Sequence, residues 1–427
     1  MILFMKNVLF VTYFWPPSGK ATVHWPLRMT QYLVDHGWNS SVLTVDRDTF
    51  SSEDTSLLAD VDQSMQVVRA RGVDPFGMYR KFLGKKSDDA LVASEAISRE
   101  IKGFRHRLAI WVRMNLFVPD SRIGWYWNAV RKGSRLLAER RFDAIVSIGP
   151  PHTGLLVGKS LSEKFGIPHI PVFIDPWVDI AYYRGFKRSW LTLILDQFLE
   201  KSVVKHASRV VFVTKTLMED YGKKYQWSGD KSHVLYWGFD EGPFELVRRA
   251  RIPKSSHEVF LHAGNMFDHQ NPSRLWETLR RRATSRKNLK LVFIGTVGPR
   301  IRKAIEAAGL SPRTEFRGFL PYQEMVREVM RASFLLVCTT EKRHVSGKLF
   351  EYVRSGKPIL AYGDDNEEVA SILAQCGNGM LLPYESSGVE FFKNLKRFKP
   401  VPRSVRVFDR KHIAGELARI LNDAAAG

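Results

Sequence analysis

The chain is expected to fold as α/β, as two Rossmann-like domains facing each other across a cleft. Three observations predict it. At 427 residues the chain is too long for one compact core. Strand and helix signals alternate almost from the start, the order that builds a parallel sheet covered on both faces. The alternation then breaks and restarts near residue 245, which gives domains at 1–245 and 246–405; a helix over 406–427 is expected to pack back toward the first.

In order, NVLFVTYF reads as the first strand, and the Pro-Pro-Ser-Gly loop leads to a helical stretch ending at Gly37. SSVLTVD, FDAIVSIG, IPHIPVFID, RVVFVT and HVLYWG continue the first sheet, with TGLLVGKSLSEKFG and LILDQFLEKSVVKHA as helices between them. Residues 47 to about 95 are polar and carry no clear element, and 242–257 reads as a linker. VFLHAG, KLVFIG, TEFRGF, FLLVC and PILAYG are the strands of the second half. No segment is expected to span a membrane: Lys6 splits the apolar opening, and SWLTLILDQFLE carries too short an apolar run before Asp196, so it reads as a core helix.

The formal charge of +21 implies an anionic partner. Cys338 and Cys376 form no framework, which favours a reducing compartment. Between 99 and 141, eleven Lys and Arg face only Glu100, Asp120 and Glu139, with Phe104, Trp111, Phe117, Trp125, Tyr126 and Trp127 interleaved. That mixture suits an anionic lipid surface, or single-stranded nucleic acid, or a solvated helix face over core aromatics. No zinc finger, helix-turn-helix or RNP pattern supports specific nucleic acid, and the membrane surface is the preferred reading.

Phosphate-binding fingerprints fail. GLLVGKS is one residue short of a P-loop, and FIGTVGPR lacks the dinucleotide pattern. Three loops end strands of the first half instead: PPSGKA with Ser18, Gly19 and Lys20, GPPHT with Pro151 and His152, and FIDPW with Asp175 and Trp177. In the second half, HVSGKLFEYVRSGKPIL places Ser346, Gly347 and Lys348 at a helix start, with Glu351 three residues on. The pair is either a surface i,i+3 contact or an anion seat with a carboxylate beside it.

Together these motifs resemble the GT-B glycosyltransferases of the family 4-like kind that build bacterial polysaccharides and glycoconjugates. The likeness rests on YFWPPSGKA, VPDSRIGW, SIGPPHTGLL, VFIDPW, VLYWGFD, FLHAGNMFDHQNP, RGFLPYQEM and KLFEYVRSGKPIL, in that order. It implies an enzyme that transfers a sugar from a nucleotide-diphosphate sugar to a glycan or lipid-linked acceptor, with retention and without metal or other cofactor; with the basic aromatic region, the expected location is the cytoplasmic face of the plasma membrane. Mapped onto this sequence, the donor site takes Gly264, Asn265, Gly318, Phe319, Arg343, Ser346, Gly347, Lys348 and Glu351, with Gly19 at the junction. Ser18, Lys20, Pro151, His152, Asp175 and Trp177 fall on the acceptor side, and Asp175, Lys348 and Glu351 are the catalytic candidates. Glu351 would hold ribose hydroxyls, Lys348 and the helix start the diphosphate, and Gly318 and Phe319 the base. Five positions depart from the family's pattern: Arg343 stands where a first acid is usual, Trp237 where Asn is common, Ile174 where an Arg is usual, Asn265 where an Arg is frequent, and the place of a frequent Lys falls near Asn271. A nucleotide-sugar epimerase on the same fold and a non-catalytic basic membrane or nucleic-acid binder are the alternatives.

Overall fold

The computed structural model describes residues 5–50, 53–72, 104–180, 183, 186–227, 229–251, 253, 255–339 and 341–426. The chain divides into two compact units, one of residues 1–235 with 414–427, the other of residues 236–413.

The first unit is built on seven parallel strands: β1 (Lys6–Val11), β2 (Trp38–Val45), β3 (Val67–Ala70), β4 (Ala144–Gly149), β5 (His169–Phe173), β6 (Val210–Phe212) and β7 (Ser232–Val234). Their order is β3-β2-β1-β4-β5-β6-β7. The central strands β4 and β5 are near-continuous apolar runs because helices bury both faces. One face packs Leu9, Leu43, Ile145 and Trp125, and the other Phe173, Phe212 and Trp177. The order reverses between β1 and β4, where open α/β sheets bind ligands at the carboxyl ends of their strands.

The second unit repeats the plan with six parallel strands: β8 (Glu258–Ala263), β9 (Leu289–Ile294), β10 (Thr314–Phe316), β11 (Phe334–Cys338), β12 (Ile359–Tyr362) and β13 (Gly379–Leu382). Their order is β10-β9-β8-β11-β12-β13, so the switch point lies between β8 and β11.

Several expectations are corrected. Residues 242–257 are not a bare linker: Glu241–Arg249 is a helix that buries Pro243, Phe244 and Val247 and pairs Glu241 with Arg354. The polar stretch after residue 47 contains β3, and β13 was also missed. In the basic region, Phe104–Leu116 and Tyr126–Glu139 are helices; Trp125 is core, whereas Trp111 and Trp127 are exposed. Arg99 and Lys102 lie outside the described residues.

The helix Trp190–His206 is the largest correction. It turns Asp196 and Glu200 inward, both fully buried, and leaves Trp190, Leu191, Ile194, Leu195 and Phe198 exposed. Hydrophobic content predicted a core helix, but the interior here requires carboxylates. Asp196 accepts from Trp177 Nε1 at 2.6 Å and from Arg188 Nη2 at 2.5 Å. Glu200 accepts from the Val178 N–H at 3.0 Å, Tyr221 Oη at 2.8 Å, Lys224 Nζ at 2.5 Å and Tyr225 Oη. These donors anchor the loop that follows β5.

Candidate active site

In the second unit, three glycines meet at the carboxyl ends of the strands around the switch point. Gly264 follows β8 with φ +112°, Gly295 follows β9 with φ +104°, and Gly318 lies just beyond β10 with φ +65°. The Gly295 N–H donates to the Gly318 carbonyl at 2.5 Å, and a Cβ on Gly295 would stand 2.8 Å from the Gly264 backbone. Only a residue without a side chain allows this approach of main chain to main chain. Asn265 Oδ1 accepts from the Thr296 N–H at 3.1 Å, which ties the loops after β8 and β9 together.

The helix Lys348–Ser355 begins beside this edge, after a loop held by fully buried Asn366, whose Nδ2 donates to the carbonyls of Glu341 and His344. Gly347 is its N-cap residue, and a Cβ there would strike the Trp237 ring at 2.6 Å. Trp237 therefore fills the position where the resembled family has Asn by packing on the start of the helix. The Lys348 side chain folds back over Gly264, with Nζ 3.5 Å from both His262 Nε2 and the Asn265 carbonyl oxygen. Burial pushes the Lys348 ammonium down to about 8, and the attraction of Glu351 opposes that shift. His262 is buried at the end of β8, where desolvation holds its pKa at about 3, so the ring is neutral. Its Nδ1 donates to the Leu336 carbonyl at 3.0 Å, which leaves Nε2 to accept from Lys348.

Glu351 is buried one turn further on. Its Oε1 is 3.3 Å from Tyr322 Oη and 3.9 Å from Arg410 Nη2, while Oε2 is buried without a hydrogen-bond partner. Desolvation raises its pKa to about 7 against the pull of Arg410. A buried carboxylate oxygen left unpartnered is costly unless a ligand satisfies it, and two hydroxyl protons would do so. An ammonium at a helix N-terminus beside open main chain, with a carboxylate one turn away, suits an anionic group flanked by a hydroxylated one.

Other predicted positions fall out differently. Arg343 does not stand alone: its guanidinium lies against Glu341, with Nε 3.2 Å from Oε1 and Nη2 3.3 Å from Oε2. Glu341 thus places an acid two residues from where the motif led us to expect one. Phe319 is 77% exposed and gives a free aromatic face beside Gly318. The Ser346 carbonyl accepts from the Leu349 N–H at 2.9 Å and opens the helix.

In the first unit, the loops after β1, β4 and β5 end at the corresponding edge. Ser18 is buried with Oγ unpartnered, Gly19 is exposed, and Lys20 is the N-cap residue of the short 3-10 turn Ala21–Val23. The buried His152 ring stacks on Trp177 with centroids 4.9 Å apart, and burial holds it neutral with a pKa of about 3. His152 is hydrogen-bonded to the Asp175 backbone, so these two predicted residues do come together. The Pro151 carbonyl accepts from the Gly154 N–H at 3.1 Å. The helix start after β4 is already occupied, because Asp120 accepts from both the N–H and Oγ1 of Thr153 at 2.9 Å. No phosphate is needed there.

Sequence reasoning missed His262, Gly295, Tyr322 and Arg410. Arg410 is fully buried, donates from Nε to the Trp237 carbonyl at 3.2 Å, and supplies the counter-charge to Glu351. No local motif marks it; the only signal was that a buried carboxylate requires a cation somewhere in the chain.

The family described as Glycosyltransferase Family 4 matches residues 26–242, more than half of the chain, and the one described as Glycosyl transferases group 1 matches residues 244–390. The chain belongs to glycosyltransferase family 4. It is 40% identical over 63 residues to the 2-deoxystreptamine N-acetyl-D-glucosaminyltransferase of Streptomyces fradiae, a match that spans 15% of either protein. Among solved structures, a sucrose-phosphate synthase from Thermosynechococcus elongatus superposes with TM-score 0.63 at 13% identity, covering 99% of both chains. Anabaena HepE in complex with UDP and glucose gives 0.62 at 14% identity, covering 98% of this chain and 100% of that one. At such identities the likeness concerns the fold, which is GT-B: two parallel α/β sheets, of seven and six strands.

Proposed function

We propose that the protein transfers a sugar from a nucleotide-diphosphate sugar to a glycan or lipid-linked acceptor, with retention and without a metal, at the cytoplasmic face of a membrane. The observation that carries the donor half is the buried, unpartnered Glu351 Oε2 one turn from Lys348. Ribose hydroxyls would satisfy the carboxylate, and the diphosphate would rest against Lys348 and the main chain at Gly264 and Gly347. Positive charge held there stabilises the departing diphosphate as the sugar–phosphate bond breaks. Gly318 and exposed Phe319 would receive the base. Asp175, beside His152 and Trp177, is the acceptor-side candidate, and retention rests on the family resemblance. Family membership favours transfer over epimerisation. The basic aromatic region 99–141, with Trp111 and Trp127 exposed, suits an anionic lipid surface.

Titration with uridine and guanosine diphosphates tests the donor site. One of them is expected to bind, with affinity reduced at least tenfold in Glu351→Ala, the loss of about two charge-assisted hydrogen bonds. Absence of binding by both, or an unchanged affinity in the variant, would overturn the donor-site assignment. Gly264→Ala provides a second check. Its Cβ would meet Lys348 Nζ at 2.6 Å and Cε at 2.8 Å on a backbone at φ +112°. Displacement of the ammonium is expected to weaken diphosphate binding by about tenfold or more, while nucleoside binding without phosphates changes little.

A further inference from the structure

The helix Trp190–His206 is amphipathic the wrong way round for a core element. Its inward side carries Asp196 and Glu200 together with Val203 and Val204, so the apolar residues on the opposite side of its first three turns take no part in that core. That face is continuous: Trp190 is 68% exposed, Leu191 61%, Ile194 56% and Phe198 65%. At its N-terminal end it adjoins the helix Phe104–Leu116, because Asn115 Oδ1 accepts from the Ser189 N–H at 2.5 Å. Leu116, 64% exposed, extends the patch there. A contiguous apolar surface of this kind on a folded protein marks a contact site.

What covers it is indicated by the other end of the helix. The apolar turns give way to exposed Lys201 and Lys205, and neither forms an ion pair among the described residues. Beside them opens a cavity of about 430 Å³ lined by Lys201, Lys205, Lys224, Lys231, Tyr225 and Trp227. Trp227 and Tyr225 stack at 5.8 Å and form an aromatic wall. Of the four lysines, Lys224 is matched by Glu200, and Lys231 Nζ donates to the Lys205 carbonyl. Apolar side chains beginning with a tryptophan and ending in lysines around a concave site match a phospholipid interface, with acyl chains beneath the helix and phosphates at its end. A protein partner would have to present an acidic groove and an apolar stripe in the same register, whereas an anionic bilayer offers both everywhere. The net charge of +21 complements such a surface.

We propose that the Trp190–His206 helix seats the protein on an anionic phospholipid surface, its exposed apolar face entering the interface and the adjoining lysine-lined cavity holding a lipid phosphate. The proposal rests on the membrane reading above and moves the principal contact from the 99–141 region to this helix. Co-sedimentation with phosphatidylcholine vesicles, with and without phosphatidylglycerol, tests it. The full chain is expected to sediment with the anionic vesicles, and Ile194→Glu with Phe198→Glu to lower the partition coefficient roughly tenfold or more. Lys201→Gln with Lys205→Gln is expected to lower it several-fold and to flatten its salt dependence. All four positions are exposed, so an unchanged circular dichroism spectrum verifies the fold. Arg131→Gln with Arg135→Gln, in the other basic region, is expected to leave sedimentation near that of the unaltered chain. If the helix variants sediment like the unaltered chain while the Arg131/Arg135 variant does not, this inference fails and the 99–141 reading stands. If the unaltered chain ignores anionic vesicles, both fail. A dimer that the Ile194/Phe198 variant converts to monomer, with no vesicle binding by either, would identify a second copy as the occupant and overturn the proposal.

Discussion

Replacing Lys348 by methionine is expected to lower kcat about 10²–10³-fold, the usual cost of removing one preorganised charge from a developing anion. The ammonium is held by the neutral ring of His262 and the Asn265 carbonyl, and Gly264 makes room for it. Nothing in that cage repels the cation strongly enough to neutralise it near pH 7, since burial lowers its pKa only to about 8. Lys348→Arg is not expected to rescue activity, because a planar guanidinium does not fit where even a methyl group on Gly264 would touch the ammonium. Steady-state kinetics with the donor identified by titration checks both variants, and a kcat within threefold of the unaltered enzyme would remove Lys348 from the reaction. The same substitution is expected to alter the pH dependence of folding. A lysine whose folded pKa is depressed from 10.5 to about 8 binds fewer protons when folded, so the unaltered chain gains stability as pH rises through that window. The methionine variant has no such gain.

Glu351→Gln is expected to move binding and stability in opposite directions. Glutamine cannot accept two hydroxyl protons as a carboxylate does, so nucleotide affinity should fall roughly tenfold or more. Stability should rise. Burial lifts the Glu351 pKa from 4.5 to about 7, and Gln stands in for the protonated acid that the empty site prefers. Below pH 4.5 the acid is protonated folded or unfolded and carries no penalty; as pH rises through 7 the folded chain must hold a buried charge. The variant is therefore expected to be more stable than the unaltered protein by about 1–3 kcal/mol at pH 8, with the difference shrinking toward pH 5. Denaturant titrations at the two pH values measure it. In the unaltered protein, nucleotide affinity should weaken as pH falls below about 7, because the carboxylate that accepts the hydroxyls becomes protonated. A variant less stable than the unaltered chain at pH 8 would show that Arg410 depends on Glu351 more than Glu351 depends on being neutral.

Both sheets were legible from the strand runs. The two missed strands, Val67–Ala70 and Gly379–Leu382, are outermost in their sheets and largely half-buried, so they lack the apolar run that marks a strand covered on both faces. At the site, residues within one short motif were found, Gly347, Lys348 and Glu351 among them. Those that complete it from far along the chain were not: His262 lies 86 residues before Lys348, and Arg410 well beyond Glu351. Periodicity also misjudged the helix Trp190–His206, because hydropathy reports how apolar a segment is, whereas the position of its carboxylates decides which face turns inward. The donors that made Asp196 and Glu200 internal come from Trp177, Val178, Arg188, Tyr221, Lys224 and Tyr225, a set that exists only once the chain has folded.

The tail of the chain has a consequence for synthesis. Residues 414–427 belong to the unit that begins with β1, where Asn422 Oδ1 accepts from Lys6 Nζ at 2.9 Å and Gly415 lies against the His36 ring. A ribosome joins every residue of the second unit, 236–413, before it adds residues 414–427 of the first. The domain made earliest is thus the last to be completed. A chain stopped at residue 413 would contain every strand of both sheets and still lack residues 414–427 of the first unit, most of the helix Arg410–Ala426.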